Sequence, residues 1–326
     1  MSRYARQIAV EGFGVAGQQA LRGAHALVVG AGGLAAPVLQ YLVGAGFGRI
    51  RLVDPDVVDR SNLHRQTLFT ESDIGRPKVA AAAARMAALN PETAIESLRA
   101  ALTPATAARL AEGVTMVLDC ADSFAVSYIL SDLCLAAGLP FLSASVVGRD
   151  GYAGGFCAGA PSLRAVFPDL PQRMGSCAVN GVLGPVVGVI GSLQAQMALA
   201  IATGDRTPLG RIVTFDGAGF RAGGFRFDRA PEPDHAPRFI DAGALDGRDF
   251  LVDLRAEDEG PLAHPTARRL TVADFDAPPL PAPGQRAVLI CRSGLRSWQA
   301  AEKLSAQWPG EIALVALGDH SQGETR

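Results

Sequence analysis

The stretch HALVVGAGGLAAPVLQYLVGAG, residues 25–46, decides the fold. Residues 25–29 form an almost unbroken apolar run of strand length. Gly30-Ala31-Gly32-Gly33 interrupts it, and from Ala35 the apolar residues follow at helical spacing. A strand that is apolar on both faces belongs inside a parallel sheet covered by helices. Glycines at such a strand-to-helix turn let the backbone approach a phosphate, and the helix N-terminus adds positive potential there.

Outward from this unit the alternation continues. RIRLV (49–53) reads as a second strand ending at Asp54, and KVAAAAARMAALN (78–90) as a helix closed by Asn90-Pro91. Strand-like IESLRAAL, helical TPATAARLAEG, strand VTMVLDC, helical FAVSYILSDLCLAAG and strand PFLSAS follow in turn. After Gly148 the pattern changes to short strands, GYAGGFCAG and RIVTFDG…GGFRFD, which suit antiparallel pairing. A long uncharged helix lies between them. The expected fold class is α/β, a Rossmann-like, mainly parallel sheet with helices on both faces and an antiparallel extension. RAPEPDHAPR (229–238) reads as a linker between a first domain (1–228) and a small α/β C-terminal domain (239–326).

Composition narrows the function classes. The chain has 326 residues, 48% hydrophobic and 19% charged, with a net charge of −2. Global disorder and an electrostatic grip on nucleic acid are both excluded. The five cysteines form no C-x-x-C pair, which argues against a zinc ribbon or a disulfide framework. The N-terminus lacks the apolar stretch of a signal peptide, so a cytoplasmic protein is expected. No charge occurs between Arg173 and Asp205, yet Pro185, Ser192, Gln194 and Gln196 within that stretch favour a buried helix over a membrane span.

The candidate site starts from Gly30, Gly32 and Gly33 with Asp54, a set that suits NAD, FAD and ATP alike. Asn62, Arg65 and Lys78 follow, and Asp122 lies just past the VTMVLDC strand. One pyrophosphate needs few cations. A triphosphate about to be cleaved needs several, together with a magnesium ion that a carboxylate such as Asp122 could hold.

RYARQI, GAGGLA, DPDVVDRSNLHRQ, RPK and DCAD together resemble the HesA/MoeB/ThiF family of E1-like sulfur-carrier adenylyltransferases, from about Arg3 to Asp228. The resemblance implies a homodimer that uses ATP and Mg2+ to adenylate the C-terminal Gly-Gly carboxylate of a ubiquitin-like sulfur carrier protein. It places Gly33 in the phosphate loop, Asp54 on the ribose, Asn62, Arg65 and Lys78 on the phosphates, and Asp122 on magnesium. Arg6 would reach the partner protomer's ATP as an arginine finger. A sulfur donor such as a cysteine desulfurase is an implied further partner. The thiamine-type enzymes look closest. The alternatives are a molybdopterin-type carrier adenylyltransferase and a non-catalytic nucleotide-binding scaffold.

The chain also departs from the family. Many members bind a structural zinc through two C-x-x-C pairs, but Ser162 and Ala165 stand at the first location and FRFDRAPEPDHAP at the second has no cysteine. Zinc is therefore expected to be absent. Cys177 aligns with the loop cysteine that in several relatives links to the carrier or carries a persulfide, whereas Cys120, Cys134 and Cys157 sit in apolar contexts and are expected to be inert. Near the C-terminus, Cys291-Arg292-Ser293-Gly294-Leu295-Arg296-Ser297 resembles a rhodanese active-site loop, with Cys291 as sulfur carrier and Arg292 and Arg296 as anion contacts. This copy is short, which favours a degenerate docking module over a working sulfurtransferase. Truncation after Asp228 is expected to leave the first domain folded.

Overall fold

The computed structural model describes residues 3–169 and 181–318. Strands β1 (His25–Val29), β2 (Arg49–Val53), β3 (Ala94–Leu98), β4 (Met116–Asp119) and β5 (Phe141–Val147) are parallel. Strands β6 (Asp150–Phe156), β7 (Arg211–Asp216) and β8 (Arg221–Arg226) add an antiparallel extension. The sheet order is β3-β2-β1-β4-β5-β6-β7-β8. It reverses direction between β1 and β4, and ligands of open α/β sheets bind in the crevice such a reversal opens.

The helices that place the site are α1 (Ala5–Ile8), α2 (Gly14–Gly23), α3 (Ala35–Ala45), α4 (Lys78–Leu89), α5 (Pro104–Leu110), α6 (Phe124–Ala137), α7 (Leu163–Val166) and α8 (Gly184–Ala202). Helices α3 and α8 pack on one face of the sheet, through Leu39, Leu42, Val187 and Ile190 against Val28, Leu118 and Leu142. Helices α5 and α6 cover the other through Leu110, Tyr128 and Leu130.

Helix α8 is long and apolar enough, by length and composition alone, to cross a membrane. Its Gln194 is wholly buried, and Nε2 donates to the carbonyls of Asp119 (2.8 Å) and Leu142 (3.0 Å). A buried amide that joins the ends of two strands explains the polar residue in this uncharged helix.

A second, smaller sheet follows, all parallel, in the order β11-β10-β12-β13-β9. Its strands are β9 (Arg238–Phe239), β10 (Phe250–Asp253), β11 (Arg268–Arg269), β12 (Ala287–Cys291) and β13 (Ile312–Ala316), and α9 (Leu295–Ser305) packs on it. This is the small rhodanese-like α/β unit. Phe239, Phe250, Cys291 and Trp298 of this unit belong to the same apolar cluster as Ala125, Tyr128 and Leu130 of α6.

The proline-rich segment joining the two sheets is pinned as well. The N–H and hydroxyl of buried Ser162 donate to the two carboxylate oxygens of Glu232, at 2.6 and 2.5 Å. Ser162 also caps α7, its hydroxyl accepting the Ala165 N–H at 3.3 Å. The two chain segments that the family resemblance marks for zinc cysteines are thus joined here by a carboxylate clamp.

Candidate nucleotide site

The turn after β1 is shaped by close contacts. Gly30 has φ +92°, and a Cβ there would lie 2.6 Å from the Cys120 carbonyl oxygen. A Cβ on Gly33 would lie 2.8 Å from Val187 Cγ1 and 3.2 Å from the Arg65 carbonyl oxygen. A side chain at either position would force apart the walls of the turn. These contacts also show what converges. The glycine turn touches the end of β4 on one side, and the Arg65 segment with α8 on the other.

Asp54, at the end of β2, is 6% exposed. Its Oδ2 accepts the Ala31 N–H at 2.7 Å and its Oδ1 the Asp56 N–H at 2.8 Å. Burial raises its pKa, opposed by the nearby Lys78 charge. Lys78 opens α4 and is itself buried, with Nζ 2.8 Å from Asp56 Oδ2. Asn62 ends a single 3-10 turn, Arg60–Asn62, and its carbonyl accepts the N–H of Arg65 (3.1 Å) and of Gln66 (2.9 Å). The Arg65 guanidinium donates to the Ser61 carbonyl and lies 2.9 Å from His64 Nε2.

The end of β4 supplies carboxylates. Asp122 is exposed just before α6. Asp119 is wholly buried, accepting the Ala121 N–H (3.2 Å) and the Ser143 hydroxyl (3.1 Å). Burial pushes its carboxyl up to about 6, and the neighbouring Asp122 charge adds to the rise. Sequence reading named Asp119 with Asp122 at the end of this strand but gave the metal role to Asp122 alone, and it gave Asp56 no role. Asp119 and Asp56 lie within the motifs quoted, but only packing shows that one is buried and the other holds Lys78.

Gly30, Gly32, Gly33, Asp54, Asn62, Arg65, Lys78 and Asp122 therefore gather at one edge of the sheet. Arg6 does not. It is exposed on α1, which is tied to the far end of α3: Gln7 Nε2 donates to the Ala45 carbonyl, and Tyr4 packs against Gly46. An 11-residue helix separates that end from the glycine turn, a length of about 16 Å. Cys177 lies outside the described residues. Cys291, Arg292 and Arg296 lie on the second sheet unit. Cys120, Cys134 and Cys157 are buried, and burial raises all three thiols, Cys157 to about 12.

The residues at the sheet edge fit a nucleotide polyphosphate: a glycine turn at a helix N-terminus, a buried ammonium, a guanidinium and the Asp54 carboxylate at the end of β2. No group of three His, Cys, Asp or Glu side chains suited to a metal occurs among the described residues. A magnesium ion carried largely by phosphates does not require one.

Beside this edge the antiparallel extension carries a groove of about 540 Å³ lined by Ser145, Tyr152, Thr214, Arg221 and Gly223. Four of them form one cross-strand row, Ser145–Tyr152–Thr214–Gly223. Ser143, which holds Asp119, lies on the same face of β5 two residues away.

The family model that matches this sequence is the ThiF family, over residues 4–236. The chain belongs to the ThiF family. Among its ThiF-family relatives it is 44% identical to adenylyltransferase and sulfurtransferase MOCS3 of Bos taurus over 218 residues, 66% of this chain and 48% of that one. To adenylyltransferase and sulfurtransferase UBA4 of Yarrowia lipolytica it is 40% identical over 205 residues, 62% of this chain and 52% of that one. The SAMP-activating enzyme E1 of Haloferax volcanii is 36% identical over 219 residues, 66% of this chain and 81% of that one. The chain spans about half the length of the first two. In fold it resembles Escherichia coli MccB solved with ATP, with a TM-score of 0.63 and 21% identity over 71% of this chain and 73% of that one.

Proposed function

We propose that this ThiF-family chain adenylates the C-terminal carboxylate of a ubiquitin-like sulfur carrier protein, using ATP. The observation that carries the reading is the convergence of Gly30–Gly33, Asp54, Arg65 and buried Lys78 on one sheet edge. Relatives named as adenylyltransferases or as a SAMP-activating enzyme support it. They give no support to the thiamine-type preference read from the sequence. The molybdopterin-type alternative, or a related sulfur carrier, is the reading kept.

A carboxylate oxygen of the carrier attacks the α-phosphorus of ATP, a P–O bond forms, and pyrophosphate leaves with the electron pair of the bond it breaks. The carboxylate is already ionised, so no general base is needed. Two anions must meet, so the protein's contribution is charge and alignment. Lys78 and Arg65 would screen the phosphates, Asn62 would orient them, and Asp54 would bind the ribose while holding the Ala31 amide. Asp122 would hold magnesium, which neutralises phosphate charge when bound. The groove beside Ser143 offers an extended, glycine-ended tail a path to this edge, with exposed Arg221 at its rim.

Arg6 lies too far from its own phosphate loop to act there, and this supports a role across a homodimer. An apolar groove between α3 and α8, lined by Pro37, Tyr41, Pro185, Val189 and Leu193, is a surface a second copy could cover. The direct test is to mix the chain with a Gly-Gly-ended carrier, ATP and magnesium, and to weigh the carrier. Added AMP supports the reading. Nucleotide binding with no AMP transfer to any of the carriers tried would favour a scaffold.

A further inference from the structure

The loop after β12 surrounds the Cys291 sulfur. Sγ lies 3.1 Å from the Gly294 amide, 3.4 Å from the Ser297 amide and 3.4 Å from the Ser297 hydroxyl. Cys291 and Ser297 have no exposed surface. The Arg296 guanidinium is already paired. Its Nη1 and Nη2 each lie 2.6 Å from a carboxylate oxygen of Glu259, and Nη1 also donates to the Leu254 carbonyl.

The outer side of this loop is pressed against the first unit. A Cβ on Gly294 would lie 3.2 Å from Cβ of Ala125 in α6, and 2.8 Å from the ring of Phe239 in β9 of its own unit. One residue past the loop, the Trp298 ring lies 5.3 Å from that of Phe124 and 4.8 Å from that of Tyr128. Arg164 of α7 covers both Tyr128 and Trp298, at 5.0 and 5.2 Å, while Asp132 of α6 binds it at 2.6 and 2.9 Å. The Tyr128 hydroxyl donates to the Phe167 carbonyl at the end of α7. A chain of contacts thus runs from the cysteine loop through α6 to α7.

We infer that the C-terminal unit braces α6 and α7 of the first unit, and that its Cys291 loop is the closed contact face of that brace. While seated, the loop is shut to small anionic sulfur donors. For thiosulfate, the Cys291 thiolate would attack the outer sulfur, form a new S–S bond, and release sulfite with the electrons of the S–S bond broken. That attack requires an open path to Sγ and a cation for the donor. Burial removes the first; of the two loop arginines, Arg296 is occupied by Glu259, while Arg292 is exposed. This inference does not rest on the adenylation reading.

The test is iodoacetamide labelling of the full chain, resolved cysteine by cysteine by peptide mass spectrometry. Cys291 should label at least about a hundredfold more slowly in the native chain than in urea, because labelling must wait for local opening. Ala125→Glu places a charge in the contact and should accelerate Cys291 labelling by roughly tenfold or more relative to wild type. If that variant does not fold, Phe124→Ala is scored by the same criterion. Labelling of native Cys291 at the unfolded rate would overturn the inference, as would a folded interface variant labelled no faster than wild type. Sulfane sulfur appearing on Cys291 of the wild-type chain after thiosulfate treatment would overturn it independently.

Discussion

Nζ of Lys78 lies 2.8 Å from Oδ2 of Asp56, so a buried ammonium is held by a carboxylate that is itself half-exposed. The pair keeps the cation in place before any phosphate arrives, and a phosphate must then compete with Asp56 for it. Lys78→Ala and Arg65→Ala should each reduce carrier adenylation by roughly 10²-fold or more, the scale of one lost preorganised charge contact. Asp56→Asn should change activity by less than about tenfold, mainly through KM for ATP, since it removes a competitor and a support together. Steady-state kinetics separates these cases. Near wild-type rates in both alanine variants would remove Lys78 and Arg65 from the mechanism.

The distance between Arg6 and its own phosphate loop gives a complementation experiment. Arg6→Ala and Lys78→Ala chains should each be inactive, and mixing them should restore part of the activity. One composite site in each mixed dimer would keep both residues. No recovery despite demonstrated subunit exchange would place the whole site within one chain.

Asp119 should leave a pH signature in stability. Its carboxyl stays protonated in the fold up to about 6, against an ordinary value of 3.8. Below pH 4 both states hold the proton and nothing is lost. As the pH rises from about 4 to 6 the unfolded chain ionises first, so this group's contribution to stability falls by up to about 3 kcal/mol and then levels off. Asp119→Asn lacks this dependence. The difference in unfolding free energy between wild type and variant should therefore fall over that window, and a difference independent of pH would count against a buried, protonated Asp119.

The clamp between Ser162 and Glu232 predicts how this chain does without zinc cysteines. Glu232→Ala strands the buried Ser162 N–H and should cost about 1–3 kcal/mol. For a chain of this size that means a Tm lower by several degrees. Chelators should leave the wild-type Tm unchanged. Stoichiometric zinc by metal analysis would overturn the expectation that zinc is absent.

Truncation after Asp228, which the sequence suggested would be harmless, should be damaging. It removes Glu232, Phe239 and Trp298 together and bares Phe124, Ala125 and Tyr128 of α6. Calorimetry should show a lower or broadened transition for the truncated chain, with self-association at micromolar concentration. A monodisperse truncated protein with wild-type Tm would show that the shared core contributes little.

Sequence alone determined the alternation of strands and helices around GAGGLA, the turn to an antiparallel extension, and the charged set from Asp54 to Asp122. These are local properties: side-chain period, glycine at a turn, and carboxylates at strand ends. Tertiary structure alone decided which of those groups meet. It brought Arg65 against Gly33, paired Lys78 with Asp56, buried Asp119 beneath Ser143, and set Arg6 a helix length from its own loop. It also joined Ser162 to Glu232 and set Phe239 and Trp298 in one apolar cluster with Tyr128. The physical reason is that burial and pairing depend on residues distant in the chain. Ser162 and Glu232 are separated by 70 positions, and no local pattern shows that they share a pair of hydrogen bonds.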